Sequence, residues 1–405
     1  MLIKLIISVA VVLLQTHDAR CTEAGLVRLS LSKSVATTGG ELGQPVVSFY
    51  TTVEVGTPPK PYRLMIDING RENWIPHYLK LGALFPRLNY KNGYSKKSST
   101  TSTKEADKEY TIVYDGCELT GKAYKDNLSF KDVVEAKNSS STSDRQSIYQ
   151  RFLAMSSASN DNFSRRGGDL DGVMSLNPWP ISETGSDLMT VSMSRANMIK
   201  ELKFAIALQD NQFGAKSESG SKNVGELSIG GLNSNYHLGA LRFHKVWSQH
   251  SWELKMQSVM LGSASVSCGP SASGNECSAL ISTRHNDIYG PAKDVQQVLS
   301  LLGFEDELKS QGFKGDRLYE IDCLKVASSP AITFMIDGSY YMIPPTSYIR
   351  KKIEGLIFKT QTCYVAILAN QESTDKQWIL GTNFLSNFYS VFDINSRQIA
   401  FGLRK

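Results

Sequence analysis

The sequence predicts an all-β protein. Three observations carry that expectation. Short runs of β-branched and aromatic residues recur along the chain, Gly, Asn, Asp and Pro punctuate them, and few stretches hold helical spacing over the length of a helix. Val46–Val55 is the clearest run, V-V-S-F-Y-T-T-V-E-V, closed by the turn Gly56-Thr57-Pro58-Pro59. Similar runs follow at 62–66, 110–114, 202–208, 226–229, 332–336, 364–368 and 389–392. The best helix candidate is 292–302. It starts after Pro291, and Val295, Val298, Leu299 and Leu302 recur at helical spacing. Segments rich in Ser, Thr, Lys and Asn at 95–103, 138–143, 156–164 and 215–223 read as exposed loops.

The chain has 405 residues, enough for two large domains or three small ones, each with a core. Apolar residues make up 41% and charged residues 20%, which excludes a disordered or fibrous chain. A net charge of +5, dispersed along the sequence, gives no footprint for nucleic acid. No stretch reaches the roughly 18 uninterrupted apolar residues that a membrane span requires.

The N-terminus has a distinct layout. A positive start at 1–4 leads into an apolar run at 5–14, then a polar stretch with small residues near 19–24. This is the pattern of a secretory signal peptide over 1–24. Cleavage after Cys21 and cleavage after Ala24 both fit. The alternative is a buried N-terminal helix or strand.

Secretion changes how the six cysteines read. Cys268 with Cys277, and Cys323 with Cys363, stand at loop-closing separations and read as two disulfides. No C-x2-C or H-x3-5-H pair supports a zinc site, and no other cofactor is implied. Cys117 has no evident partner if Cys21 leaves with the signal peptide. Asn127, Asn138 and Asn162 open glycosylation sequons.

Two stretches share a plan in which an apolar run enters a short polar turn and then continues apolar. One is Leu64-Met-Ile-Asp67-Ile-Asn-Gly-Arg-Glu-Asn-Trp74-Ile-Pro76. The other is Ala279-Leu-Ile-Ser282-Thr-Arg-His-Asn-Asp-Ile-Tyr-Gly290-Pro291. With these turns the chain resembles a pepsin-like (family A1) aspartic protease, from about residue 45 to 403. Val55-Gly-Thr-Pro-Pro59 resembles the family's entry turn. Trp74 and Pro76 keep the family spacing after Asp67. Tyr114 with Gly116 resembles the flap that closes over the cleft. Gly225-Glu-Leu-Ser-Ile-Gly-Gly231 resembles the strand crossing toward the second lobe. Trp378-Ile-Leu-Gly381, Tyr389-Ser-Val-Phe-Asp393 and Ile399-Ala-Phe-Gly402 resemble the C-terminal signature. The two cysteine pairs fall where the family has disulfides.

The resemblance implies two β lobes, 45–231 and 232–405, with a cleft between them. Residues 25–44 would be a short prosegment remnant or an N-terminal extension. The family reaction needs two carboxylates that share a proton across a bound water, one acting as base and the other as acid. Asp67 supplies the first. Ser282 stands at the second position. Asn69 and Arg284 replace the family glycines, Ile68 replaces a Thr whose hydroxyl ties the two turns, and His285 replaces a Ser or Thr. Ser175 replaces one of the two glycines that cross behind the turns, and Gly381 keeps the other. Tyr114, Thr283, His285, Arg284 and Asn69 are the expected substrate-side residues.

Three functional readings follow. The first is a secreted monomer of the pepsin fold that has lost normal catalysis and binds peptide or protein in its cleft. The second is a working endopeptidase that pairs Asp67 with His285 as a mixed acid–base couple. The third is a structural or storage glycoprotein that uses the fold as a scaffold. Arg284 adds the expectation that the cleft favours an acidic group.

Overall fold

The computed structural model describes residues 25–36, 46–78, 92–130, 146–163, 169–179, 182, 184–185, 187–208, 224–268, 277–315, 317–354, 360–370 and 376–405. The expected signal peptide, Asn138 and the polar segments at 138–143 and 215–223 lie outside the described residues.

Both halves of the chain contribute to one thirteen-stranded sheet. Its base runs His237–Lys245, Gln398–Arg404, Phe388–Asp393, Lys203–Leu208, Gly225–Ile229 and Val27–Ala36. It continues through Val46–Val55, Lys60–Asp67, Gly172–Ser175, Trp74–Pro76, Gln146–Ala158, Cys117–Phe130 and Thr103–Tyr114. The last strands form the first lobe. The second lobe is built from sheets of five, four and three strands. The inner strands of the base, Lys203–Leu208, Gly225–Ile229 and Phe388–Asp393, are covered on both faces, while the edge strand His237–Lys245 is mostly exposed. Every residue of Phe388–Asp393 is buried, and Phe392 stacks on Phe204 with ring centroids 4.8 Å apart. The all-β expectation holds.

Local corrections have local causes. The run 364–368 is split between the strands Thr360–Val365 and Ile367–Ala369. The helix Ala292–Leu299 starts as expected and buries Val295, Val298 and Leu299. It then widens over Ser300–Phe304, where Gly303 takes φ +96°, and resumes over Glu305–Gln311. The acidic run Glu305-Asp306-Glu307 sits in that helix's first turn, where the helix dipole favours negative charge. The expected loop 156–164 is partly wrong. Ser156 and Ser157 complete the strand Gln146–Ala158, and Phe163 is buried.

Residues 25–44, read above as a prosegment remnant or an N-terminal extension, include the strand Val27–Ala36, which lies in the base sheet. Val27 to Leu31 pair antiparallel with Ile229 to Gly225, and Ser32 to Ala36 pair with Tyr50 to Val46. Val27, Leu29 and Leu31 are buried on its inner face. The strand is paired over five positions with each neighbour, so both ladders run through it.

Both expected disulfides are present, Cys268–Cys277 and Cys323–Cys363, and Cys117 is free and buried. Asn127 is half-buried on the strand Cys117–Phe130, opposite Tyr149. The Asn162 amide donates to the Asp115 carbonyl at 3.3 Å, so it helps to hold the flap turn. Among the described residues no helix is long and apolar enough to cross a membrane, and no His, Cys, Asp and Glu cluster is arranged to hold a metal.

Candidate functional site

Each lobe delivers one turn to the interface in the same way. In the first, Lys60–Asp67 runs parallel to Gly172–Ser175, with Asp67 opposite Ser175. In the second, Cys277–Ile281 runs parallel to Gln377–Leu380, and Ser282 N–H donates to Leu380 O at 3.0 Å. A parallel neighbour behind each strand sends the turn beyond the sheet edge into the cleft. Gly381 lets the second turn pack against its support. A Cβ there would lie 2.4 Å from Asp287 O and 2.5 Å from His285 O, closer than backbone atoms can approach.

The turns are tied across the lobes. Thr283 Oγ1 donates to Ile66 O at 2.8 Å and accepts from Ile68 N–H at 3.2 Å. Thr283 was expected on the substrate side. It is buried, faces the opposite turn, and does not line the cleft cavity. Ile68 brings no hydroxyl to make the matching bond, and its side chain is fully buried.

Asn69 supplies a different tie. Its Nδ2 donates to Ile281 O at 2.7 Å, and its Oδ1 accepts Trp252 N–H at 2.9 Å. Trp252, itself fully buried, donates Nε1 to Leu176 O at 2.9 Å. Asn177 donates to both Asn69 O and His250 O. The Asn69 side chain therefore bridges the lobes while the residue still borders the cavity. Sequence reasoning missed Trp252 and Asn177 because neither carries a turn signature. Asn69→Gly, which restores the family residue, is expected to destabilise the protein by about 1–3 kcal/mol, since it strands Ile281 O and Trp252 N–H. Denaturant titration measures this, and an unchanged midpoint would show that the bridge contributes nothing.

The flap is the hairpin of Thr103–Tyr114 and Cys117–Phe130. Asp115 and Gly116 both take positive φ, 53° and 66°, as a tight two-residue hairpin turn requires. Tyr114 lies under it in an aromatic cluster. Trp74 meets Tyr114 edge-on at 5.7 Å and Phe163 at 4.5 Å. Trp74 is core, and its Nε1 is buried without a hydrogen-bond partner. Phe163 is a site-supporting residue that its polar neighbours concealed in the sequence.

Tyr114 OH donates to Asp67 Oδ2 at 2.9 Å. Burial pushes the Tyr114 hydroxyl well above its ordinary value and the Asp67 charge adds to that, while Arg284 acts against it. The phenol stays protonated and remains a donor. The other Asp67 oxygen, Oδ1, accepts Asn69 N–H at 2.9 Å. The Arg284 guanidinium lies 5.8 Å from the Tyr114 ring centroid.

Ser282 presents a hydroxyl bound on three sides. Its Oγ accepts Arg284 N–H at 3.2 Å and His285 N–H at 3.4 Å, and lies 2.9 Å from His285 Nδ1. The His285 ring packs edge-on against Tyr289 at 5.2 Å. Below it, Arg350 pairs with buried Asp287, and Asn286 bonds both backbone groups of Val47.

Asp67, Tyr114, Ser282, Arg284 and His285 line one cavity of about 230 Å3 together with Asn69. Arg71 and Glu72 also line it. Burial raises the Glu72 carboxyl, and its hydrogen bonds run to Thr184 and Ser182 in the first lobe.

The comparisons agree with this geometry. Residues 48–403 match the family described as "Eukaryotic aspartyl protease". Gastricsin of Mus musculus is 26% identical over 357 residues, covering 87% of this chain and 80% of that protein. Cathepsin D of Bos taurus is 24% identical over 354 residues, covering 87% and 83%. The embryonic pepsinogen of Gallus gallus is 22% identical over 363 residues, covering 89% and 80%. With nearly the whole described chain matched, the paired turns and the flap in place, and both disulfides formed, the chain belongs to the eukaryotic aspartyl protease family.

Proposed function

We propose that this protein has lost the family's normal peptidase activity and binds peptide or protein ligands in the cleft between its lobes. The observation that carries this reading is the Asp67–Ser282 pair. The family reaction needs a second carboxylate to share a proton with the first, and a serine hydroxyl does not ionise in that range. Ser282 Oγ is also engaged by Arg284 N–H, His285 N–H and His285 Nδ1, while Asp67 is engaged by Tyr114 OH. The retained flap and its cavity favour a ligand-binding role over a purely structural or storage one. The apolar run at 5–14 supports entry into the secretory pathway, and both disulfides fit an oxidising compartment.

The competing reading pairs Asp67 with His285 as an acid–base couple. Both line the same cavity, but His285 Nδ1 is already turned to Ser282. Cleavage of a denatured protein mixture from about pH 2 to about pH 8 separates the two readings. The purified protein is assayed with and without a transition-state mimic, beside Asp67→Ala. The expected result is no cleavage at any pH by folded protein. Cleavage that Asp67→Ala abolishes would overturn the proposal.

A further inference from the structure

We propose that Ser282 and His285 form a nucleophile–base pair able to take an acyl group from small activated esters. Donor and acceptor capacity assigns the roles. Ser282 Oγ already accepts two backbone N–H groups, from Arg284 and His285. Both lone pairs are then used, so the contact with His285 Nδ1 at 2.9 Å is made by the serine proton. His285 Nδ1 is the acceptor, and the imidazole carries its proton on Nε2. This is the hydrogen bond of a hydroxyl aimed at its base. The same two N–H groups stabilise negative charge on Oγ as it loses that proton.

Ser282 is positioned by Ser282 N–H to Leu380 O at 3.0 Å, and the His285 carbonyl accepts Thr382 N–H at 2.8 Å. Arg71 and Arg284 line the same cavity, together with Asp67 and Glu72. The cavity of about 230 Å3 admits a short acyl chain and is smaller than a drug-sized site.

The step balances. Oγ attacks the ester carbonyl, the Oγ–C bond forms, and the serine proton passes to Nδ1. The C–O bond to the alcohol then breaks, and the imidazolium returns that proton to the leaving oxygen. Water, deprotonated by the same nitrogen, attacks the acyl carbonyl; the Oγ–C bond breaks, the imidazolium returns the proton to Oγ, and the carboxylic acid is released. Asp67 takes no part, so the pair stands independently of whether peptidase activity is absent.

A fluorophosphonate probe on the intact protein tests this. The Oγ–P bond forms, the P–F bond breaks, and fluoride leaves as the proton passes to His285. Peptide mass mapping is expected to place the adduct on Ser282. The rate should rise with pH across the range in which an imidazole deprotonates. His285→Gln should slow labelling by about 10²-fold or more. Ser282→Cys guards against misfolding of other variants: iodoacetamide should alkylate it faster than Ser282→Cys/His285→Gln. An unlabelled wild-type Ser282, labelling of His285→Gln at the wild-type rate, or equal alkylation of the two cysteine variants would each overturn the proposal. Cleavage of peptides in the separate assay would overturn only the reading of the cleft.

Discussion

Ser282→Asp alone is expected to leave peptidase activity at least about 10²-fold below that of a two-carboxylate relative. The substitution restores a carboxylate but places it beside His285 Nδ1, which lies 2.9 Å from the present Oγ. A carboxylate there pairs with a protonated imidazole instead of sharing a proton with Asp67. Asp67 Oδ2 would still be covered by Tyr114 OH. Ile68 would still contribute no hydroxyl to the tie between the turns. The double variant Ser282→Asp/His285→Thr removes the competing imidazole and should exceed the single variant. Initial rates on a denatured protein substrate, compared with those of a pepsin-like protease, give the answer. Full activity from Ser282→Asp alone would mean that the missing carboxylate was the only defect.

Loss of the Cys323–Cys363 disulfide is expected to cost about 4 kcal/mol, and loss of Cys268–Cys277 about 3 kcal/mol. The difference comes from the unfolded chain. The bridges close loops with sequence separations of 40 and 9 residues, and the longer loop loses more freedom when closed. Paired alanine substitutions suit the test, because Cys363 is fully buried and serine would leave a hydroxyl without water. Denaturant unfolding of the two double variants reads both values. A larger loss from the Cys268–Cys277 variant would show that native-state packing, and not loop length, dominates.

The strands and the functional turns were legible because their signals are local. The β-branched and aromatic run Val46–Val55, Tyr114 with Gly116, and the paired polar turns at Asp67 and Ser282 are properties of a few neighbouring residues. The cysteine pairs were legible because their separations and the apolar leader pointed to the same compartment. The helix end was less legible, since Gly303 widens the helix and the chain resumes it.

What the sequence by itself determined was the all-β character, the two turns, the serine at position 282 and the cysteine pairing. What only the tertiary structure decided was the use of each polar side chain. Asn69 reads as bulk placed in a cleft, yet it bridges to Ile281 and Trp252, residues 212 and 183 positions away. Thr283 reads as a substrate contact, yet it ties the two turns. Residues 25–44 read as a prosegment remnant or an extension, and only the structure shows Val27–Ala36 paired on both sides in the base sheet. Phe163 reads as part of a polar loop, yet it packs on Trp74. A hydrogen-bond partner or a packing neighbour is chosen by distance in space. Composition and spacing record only distance along the chain, so they show that a polar group needs a partner without showing which one it finds.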